Sequence, residues 1–280
     1  MSNSSQIKWA TAFIAVMLCV AFSIGQTPPA QPASGNADGP SKAQTDLVVV
    51  ADFEETPEAV IRGASVTPEV AGEVEYVEGV EGKAVVVGVQ QADKPQDMAL
   101  RYTLADADVI DWKQGTINLW ACPQDWDGDD AEFHLLFEGI GEDARLLIYK
   151  YVKTDELYFL LGPNSRDAEG KWRWTIAKTS IKDWRRDQWR MVTCTWNARV
   201  GMRLFLNGRL VANLPIRELP ANPCTRIAVG GFWPAKWEGA QGRTAVDQLQ
   251  IWNRSLSPTQ ITKLYRDGKD AMKADDAASE

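Results

Sequence analysis

Short runs of β-branched and aromatic residues, separated by clusters of Gly, Asp, Asn and Pro, recur along most of this chain. Leu47–Phe53, Gly115–Cys122, Gln188–Trp196 and Ala245–Trp252 are four of them. Between them the apolar residues show almost no helical periodicity. Because closely spaced runs of this kind form strands joined by turns, the sequence predicts an all-β sandwich or barrel and disfavours a parallel α/β sheet.

One β-hairpin can be predicted from the residues of its turn. Met202–Leu206 and Arg209–Leu214 are separated only by Asn207 and Gly208. Both residue types tolerate positive φ, which a two-residue type I′ turn requires. We therefore expect the two runs to pair as antiparallel strands.

One short helix is predicted at the end of the domain. Ser257 fits the N-cap position, Pro258 the first helical position, and Gln260 completes a capping box. Gly268 has the character of a residue that ends a helix. The expected helix therefore covers residues 257–268.

The N-terminus has the pattern of a secretory signal. Met1–Lys8 is polar with one cation, and Trp9–Gly25 is apolar and ends in small residues. This pattern predicts cleavage near Gln26 and an exported protein, either secreted or located in the periplasm or cell envelope. The alternative is an uncleaved membrane anchor, because the apolar run is just long enough to span a bilayer.

The segments on either side of the β domain lack core-forming residues. Residues 26–45 are rich in Pro, Ala, Gly and Ser, and residues 269–280 contain few large apolar side chains. Such segments cannot bury enough surface to offset their ordering entropy. We therefore expect a signal at 1–25, a flexible linker at 26–45, one domain at 46–268 and a disordered tail at 269–280.

Four motifs occur in one order along the chain. They are Gly115-Thr-Ile-Asn-Leu-Trp120, Gln188-Trp-Arg-Met-Val-Thr-Cys-Thr-Trp196, Met202-Arg-Leu-Phe-Leu-Asn-Gly-Arg-Leu-Val211 and Val246-Asp-Gln-Leu-Gln-Ile-Trp-Asn-Arg-Ser-Leu-Ser257. Their order resembles that of the LamG-like (laminin G-like) branch of the concanavalin A-like lectin/glucanase superfamily. The resemblance implies an antiparallel jelly-roll β-sandwich, with the short C-terminal helix following the last strand.

The charge of the chain narrows the possible partners. The net charge is −8 and no basic tract exceeds two residues, as at Arg185-Arg186. Nucleic acid is therefore not an expected partner, because its binding depends on clustered cations.

After signal cleavage the chain keeps three cysteines, Cys122, Cys194 and Cys224. An exported setting allows either one disulfide plus one free thiol or three buried thiols.

An acidic loop offers hard oxygen ligands for a metal ion. Asp125, Asp127 and Asp129 alternate along the chain before Asp130. Carboxylate oxygens at this spacing suit Ca²⁺, although the segment does not match an EF-hand loop. The alternatives are a calcium site at these three residues and a solvated acidic turn.

Glycoside hydrolysis would require two facing carboxylates. The strand pattern with alternating carboxylates that is found in glucanases of this fold is absent. The nearest acidic cluster is Asp125–Glu132, which offers an unusual acid pair such as Asp129 and Glu132. We therefore expect no catalytic residues. A glycan-active enzyme with this unusual acid pair is the alternative.

Tryptophan is frequent, with 12 in the chain, and some of it lies outside the predicted strands or beside charged residues. Sugar rings have apolar faces that pack on aromatic rings, so exposed tryptophans are candidates for a glycan site. The alternative is that these rings cover the edges of the sandwich. The candidates are Trp126, Trp172, Trp174, Trp233 and Trp237.

These features together predict an exported, non-catalytic binding module for carbohydrate or another extracellular macromolecule. A cell-envelope domain that binds a protein partner is a further alternative. Contact with a membrane is expected only through the N-terminal segment if it is not cleaved.

Overall fold

The computed structural model describes residues 46–89, 97–105, 109–230 and 242–278. Its strands form two antiparallel sheets, which confirms the predicted all-β sandwich. The first sheet contains β1 (Leu47–Ala51), β2 (Ala59–Ile61), β3 (Ala64–Val66), β5 (Glu75–Glu78), β6 (Lys83–Val89), β8 (Gln114–Pro123), β13 (Arg190–Asn197), β14 (Gly201–Leu206), β15 (Arg209–Leu214) and β17 (Thr244–Trp252). The second contains β4 (Glu69–Ala71), β7 (Asp97–Thr103), β9 (His134–Ile140), β10 (Ala144–Lys150), β11 (Glu156–Pro163), β12 (Thr175–Ser180) and β16 (Arg226–Gly230).

Neighbouring strands in each sheet are often distant in the sequence. The first sheet has the order β3-β2-β1-β17-β8-β13-β14-β15, and β6, paired with β5, lies beside the first half of β17. The second sheet has the order β4-β7-β16-β9-β10-β11-β12. Long connections that return a late strand to the centre of a sheet are typical of jelly-roll sandwiches.

The core lies between the two sheets. Leu146 and Ile148 of β10, with Phe159 and Leu161 of β11, point towards the first sheet and are fully buried. Because side chains alternate along a strand, the residues between them point to the opposite face of the second sheet. That opposite face carries the candidate site.

The predicted hairpin between β14 and β15 is confirmed. Asn207 has a φ of 49° and Gly208 a φ of 77°. Both residues are therefore left-handed, as a type I′ turn requires.

The helix α1 (Pro258–Ala278) begins as predicted but is longer than predicted. The amide of Ser257 donates to Oε1 of Gln260, and the amide of Gln260 donates to Oγ of Ser257, which forms the capping box. The prediction that Gly268 ends the helix was wrong. A Cβ atom at Gly268 would lie 2.6 Å from Cζ2 of Trp120, so this glycine lets the helix approach the first sheet closely.

Residues beyond Gly268, which were expected to be disordered, are helical to Ala278. Met272 packs with Ile261, Leu264 and Tyr265 against the outer face of the first sheet. Tyr265 stacks on Trp120 with ring centroids 5.7 Å apart. The helix therefore covers part of the first sheet's outer face.

All three cysteines of the domain are free and buried. This selects three buried thiols from the alternatives that the sequence left open. Burial raises the pKa of Cys122 and of Cys224 to about 12, so both remain protonated thiols at neutral pH.

The predicted signal and linker, residues 1–45, lie outside the described residues. Within the described part of the chain, no helix has the length and apolar character needed to span a bilayer.

Candidate functional site

The outer face of the second sheet, which points away from the core, carries apolar and aromatic side chains. Leu147 and Tyr149 of β10 point outwards, opposite Leu160 and Tyr158 of β11. Both strands are thus apolar on two faces, although an exposed face of an antiparallel sheet is usually polar. This outer surface is therefore covered or used for binding.

These side chains form a groove of about 320 Å³, which we call the aromatic groove. The segment before β12 contributes Trp172 and Trp174, and the turn between β10 and β11 contributes Tyr151. The groove is lined by Phe133, Leu147, Tyr149, Tyr151, Tyr158, Leu160, Trp172, Trp174 and Ile176. Its volume falls at the lower end of the range for small-ligand sites.

The structure brings two of the candidate tryptophans together at this groove. The rings of Trp172 and Trp174 stack with centroids 4.0 Å apart and planes 8° apart. The guanidinium carbon of Arg166 lies 4.2 Å from the ring centroid of Trp172. Trp172 remains 39% exposed, which is unusual for a large hydrophobic side chain.

Hydrogen bonds fix the segment that carries these two rings. Nη1 of Arg217 donates to the carbonyl of Trp172 at 2.9 Å, and Nη2 donates to Oδ2 of Asp167 at 2.6 Å. The amide of Lys171 donates to Oδ1 of Asp167 at 2.8 Å. This wall of the groove is therefore pre-organised, which lowers the entropy lost when a ligand binds.

Polar groups are few in the groove, and their positions are specific. Burial raises the pKa of Tyr149 and of Tyr158, so both side chains keep their hydroxyl protons at neutral pH. The hydroxyl of Tyr158 donates to Oε2 of Glu156 at 3.0 Å. Nε1 of Trp174 is buried without a hydrogen-bond acceptor among the described residues. A ligand oxygen that reached this donor would supply the missing acceptor.

The remaining tryptophan candidates do not contribute to the described groove. Trp126 is 3% exposed, and its ring stacks on His134 with centroids 3.9 Å apart. Its Nε1 donates to Oγ1 of Thr244 at 2.9 Å, so the structure shows it as a packed core residue. Trp233 and Trp237 lie outside the described residues.

The carboxylates of the acidic loop interact with different parts of the chain. Asp125 accepts a hydrogen bond from the amide of Arg243 at 2.7 Å, and Asp127 accepts one from the amide of Arg186 at 3.1 Å. Asp129 is exposed. No group of three or more His, Cys, Asp or Glu residues is arranged to hold a metal ion in the described ranges. The structure thus does not assemble Asp125, Asp127 and Asp129 into a calcium site.

The candidate acid pair is also separate from the aromatic groove. Asp129 is exposed, Glu132 is half-buried, and neither side chain lines the groove.

A buried network that the sequence did not reveal anchors the acidic loop. Oδ2 of Asp130 lies 2.7 Å from Nε2 of His134, and Oδ1 lies 2.7 Å from Nζ of Lys150. Nδ1 of His134 accepts the amide of Gly242 at 3.0 Å, so the proton is on Nε2 and the imidazole is neutral. Nζ of Lys150 also donates to the carbonyls of Asp130 and Glu132. This network fixes the chain immediately before Phe133 in the groove.

Three tyrosines of the groove were not among the sequence candidates. Tyr149, Tyr151 and Tyr158 lie in runs that are apolar at almost every position, Arg145–Val152 and Glu156–Leu161. The signal was the missing polar alternation, because a strand with one solvated face should alternate.

A comparison with protein families supports the fold from the sequence side. Residues 101–262 match a family model described as Laminin_G_3, concanavalin A-like lectin/glucanases superfamily. The chain belongs to this family. The match covers β8 to β17 and the start of α1, and it confirms the LamG-like resemblance. No curated protein matches the chain.

Solved structures with the same fold include receptor-binding domains of botulinum neurotoxins. One, from work on cell entry of neurotoxin type C through interaction with two ganglioside molecules, has a TM-score of 0.63 and 13% identity over 81% of this chain and 53% of its own. The binding domain of neurotoxin DC in complex with SialylT has a TM-score of 0.60 and 14% identity over 80% and 51%. The same domain in complex with rat synaptotagmin II has a TM-score of 0.62 and 14% identity over 81% of this chain and 52% of its own. The chain spans about half the length of these structures, and at this identity the likeness shows the fold.

Proposed function

We propose that this laminin G-like domain is an exported binding module that holds a carbohydrate in its aromatic groove. One observation carries the proposal. Aromatic rings surround an apolar groove on a face of the second sheet that α1 does not cover. A concave, mostly apolar site with a few polar groups is the usual form of a small-ligand site in a protein.

Carbohydrate fits the groove better than a purely apolar ligand. A sugar ring has an apolar face that packs on aromatic rings and a polar edge that needs hydrogen-bond partners. The groove offers the rings of Trp172 and Tyr151, together with the hydroxyl of Tyr158, which Glu156 holds in place. The neurotoxin domains studied with gangliosides and with SialylT support the proposal by analogy of fold.

The binding part of the proposal is tested with the purified full chain on a glycan array, followed by calorimetry with the saccharides that bind. Trp172→Ala should weaken binding by about ten-fold, because it removes one stacking surface and part of the groove wall. Trp189→Phe is the control, since Trp189 packs against the first sheet and lies outside the groove. Equal binding by wild type and Trp172→Ala would exclude this groove as the site.

The export part is tested separately by expressing the chain with its own N-terminus. The expected product is an exported form whose mass corresponds to cleavage near Gln26. Full-length protein retained in the cytoplasm would contradict export.

A further inference from the structure

Three arginines share the outer face of the second sheet with the aromatic groove. The register places Arg101, Ala228, Glu138, Leu147 and Leu160 opposite one another in a single row across β7, β16, β9, β10 and β11. Because residues that lie opposite one another point to the same side, this row runs from the charged residues to the groove floor.

The other two arginines lie in the next row of the same face. Arg226 of β16 and Arg145 of β10 are both opposite Ile140 of β9, one on each side. Arg145 is two residues from Leu147 on the same strand, so their side chains are neighbours on one face. We call Arg101, Arg145 and Arg226 the arginine patch.

Among the residues that the structure describes, positive charge exceeds negative charge within the patch. Arg145 pairs with Glu138 at 3.2 Å, and Arg101 pairs at 3.3 Å with Glu69, whose side chain is 70% exposed. Within the described residues the guanidinium of Arg226 has no ion-pair or hydrogen-bond partner, and its Nε is buried without an acceptor. The chain as a whole has a net charge of −8, so a group of three arginines on one face is a local exception that indicates an anionic partner.

Burial makes the arrangement specific for an oxyanion. Glu138 is 17% exposed, and burial raises its pKa even though the charges of Arg145, Arg226 and Arg101 act in the opposite direction. In the described part of the chain, Glu138 and the exposed Glu69 are the two carboxylates that pair with the patch, which has three guanidinium groups. Arginine binds carboxylate and sulfate groups through paired N–H donors, and this binding is strongest where water is partly excluded.

We propose that the arginine patch binds an anionic oxygen group, carboxylate or sulfate, of the saccharide in the aromatic groove, so that the ligand is an acidic oligosaccharide. This inference rests on the proposed function of the groove. Leu147 and Ala228 are two strands apart, which is about 10 Å, so one short oligosaccharide would contact both regions.

The test measures the affinity of the full chain for three probes: a carboxylated oligogalacturonate, a sulfated chondroitin oligosaccharide and a neutral gluco-oligosaccharide. At least one acidic probe should bind about ten-fold or more tightly than the neutral one, and added salt should weaken that preference. The carboxylated and sulfated probes identify which anion is preferred. Arg226→Gln should remove about ten-fold of the acidic preference and leave binding of the neutral probe unchanged.

Arg203→Gln is the matched control, because Arg203 lies on the first sheet and its Nε is also buried without an acceptor in the described structure. Equal affinity for acidic and neutral probes, with Arg226→Gln silent, would overturn the inference and leave the proposed groove intact. Preference for an acidic probe that survives Arg226→Gln and Arg101→Gln would also overturn it. Failure of every saccharide to bind would overturn both proposals together.

Discussion

Replacing Lys150 by Met tests the buried network beneath the groove. Lys150 has a side chain only 1% exposed, and its ammonium group contacts three oxygens: Oδ1 of Asp130 at 2.7 Å, the carbonyl of Asp130 at 2.7 Å and the carbonyl of Glu132 at 3.0 Å. Met keeps most of the apolar stem but removes every donor. Breaking a buried pair by removing one partner typically costs about 3–5 kcal/mol, and each orphaned buried acceptor accounts for about 1–3 kcal/mol of such a loss.

We therefore expect Lys150→Met to lower the free energy of unfolding by about 3–5 kcal/mol, measured by urea denaturation followed by tryptophan fluorescence. Lys178→Met is the matched control. Its ammonium also pairs with a carboxylate of the second sheet, Glu156 at 3.0 Å, but its side chain is 51% exposed. The control should leave the urea midpoint nearly unchanged. Equal effects of the two substitutions would refute the argument that burial makes the Lys150 network important.

Two further predictions concern pH and packing. Burial lowers the pKa of His134 below the usual 6.5, so the unfolded chain binds the proton more readily and the His134 contribution to stability is lost as pH falls below about 6.5. Burial also raises the pKa of Asp247 from its usual 3.8 to about 7. The Asp247 contribution to stability is therefore lost as pH rises through this range, which is the opposite of the His134 effect. His134→Gln should therefore lose less stability than wild type between pH 7 and pH 5 in urea melts, and an equal loss would contradict the assignment. Gly268→Ala should lower the thermal midpoint although alanine favours a helix by about 1 kcal/mol, because its Cβ would overlap the ring of Trp120; a raised midpoint would show that the helix can shift.

The sequence was sufficient for the parts of the fold that depend on local chemistry. Asn207 and Gly208 predicted their hairpin, and Ser257 with Gln260 predicted the start of α1, because turns and caps depend on nearby residues. The predicted end of α1 was wrong because that prediction also used only local residues. Gly268 is a helix terminator by local preference, but packing against Trp120 gives it another role.

The candidate site was only partly predictable. Trp172 and Trp174 lie two residues apart, and the structure stacks their rings against each other. Tyr149 and Tyr158 meet only because β10 pairs with β11 in one register, which the sequence does not reveal. Trp126 lies in an acidic loop, where an exposed ring is expected from the sequence. In the structure, His134 at the start of β9 stacks on this ring and helps to bury it.

The most direct test of the aromatic groove is a nuclear magnetic resonance titration of the indole N–H signals with a saccharide that binds. Trp174→Phe and Trp172→Phe assign the two groove signals. We expect the signals of Trp172 and Trp174 to shift in proportion to saturation, while those of the buried Trp184 and Trp196 stay in place. Shifts confined to tryptophans outside the groove, with Trp172 and Trp174 unchanged, would contradict the proposed site.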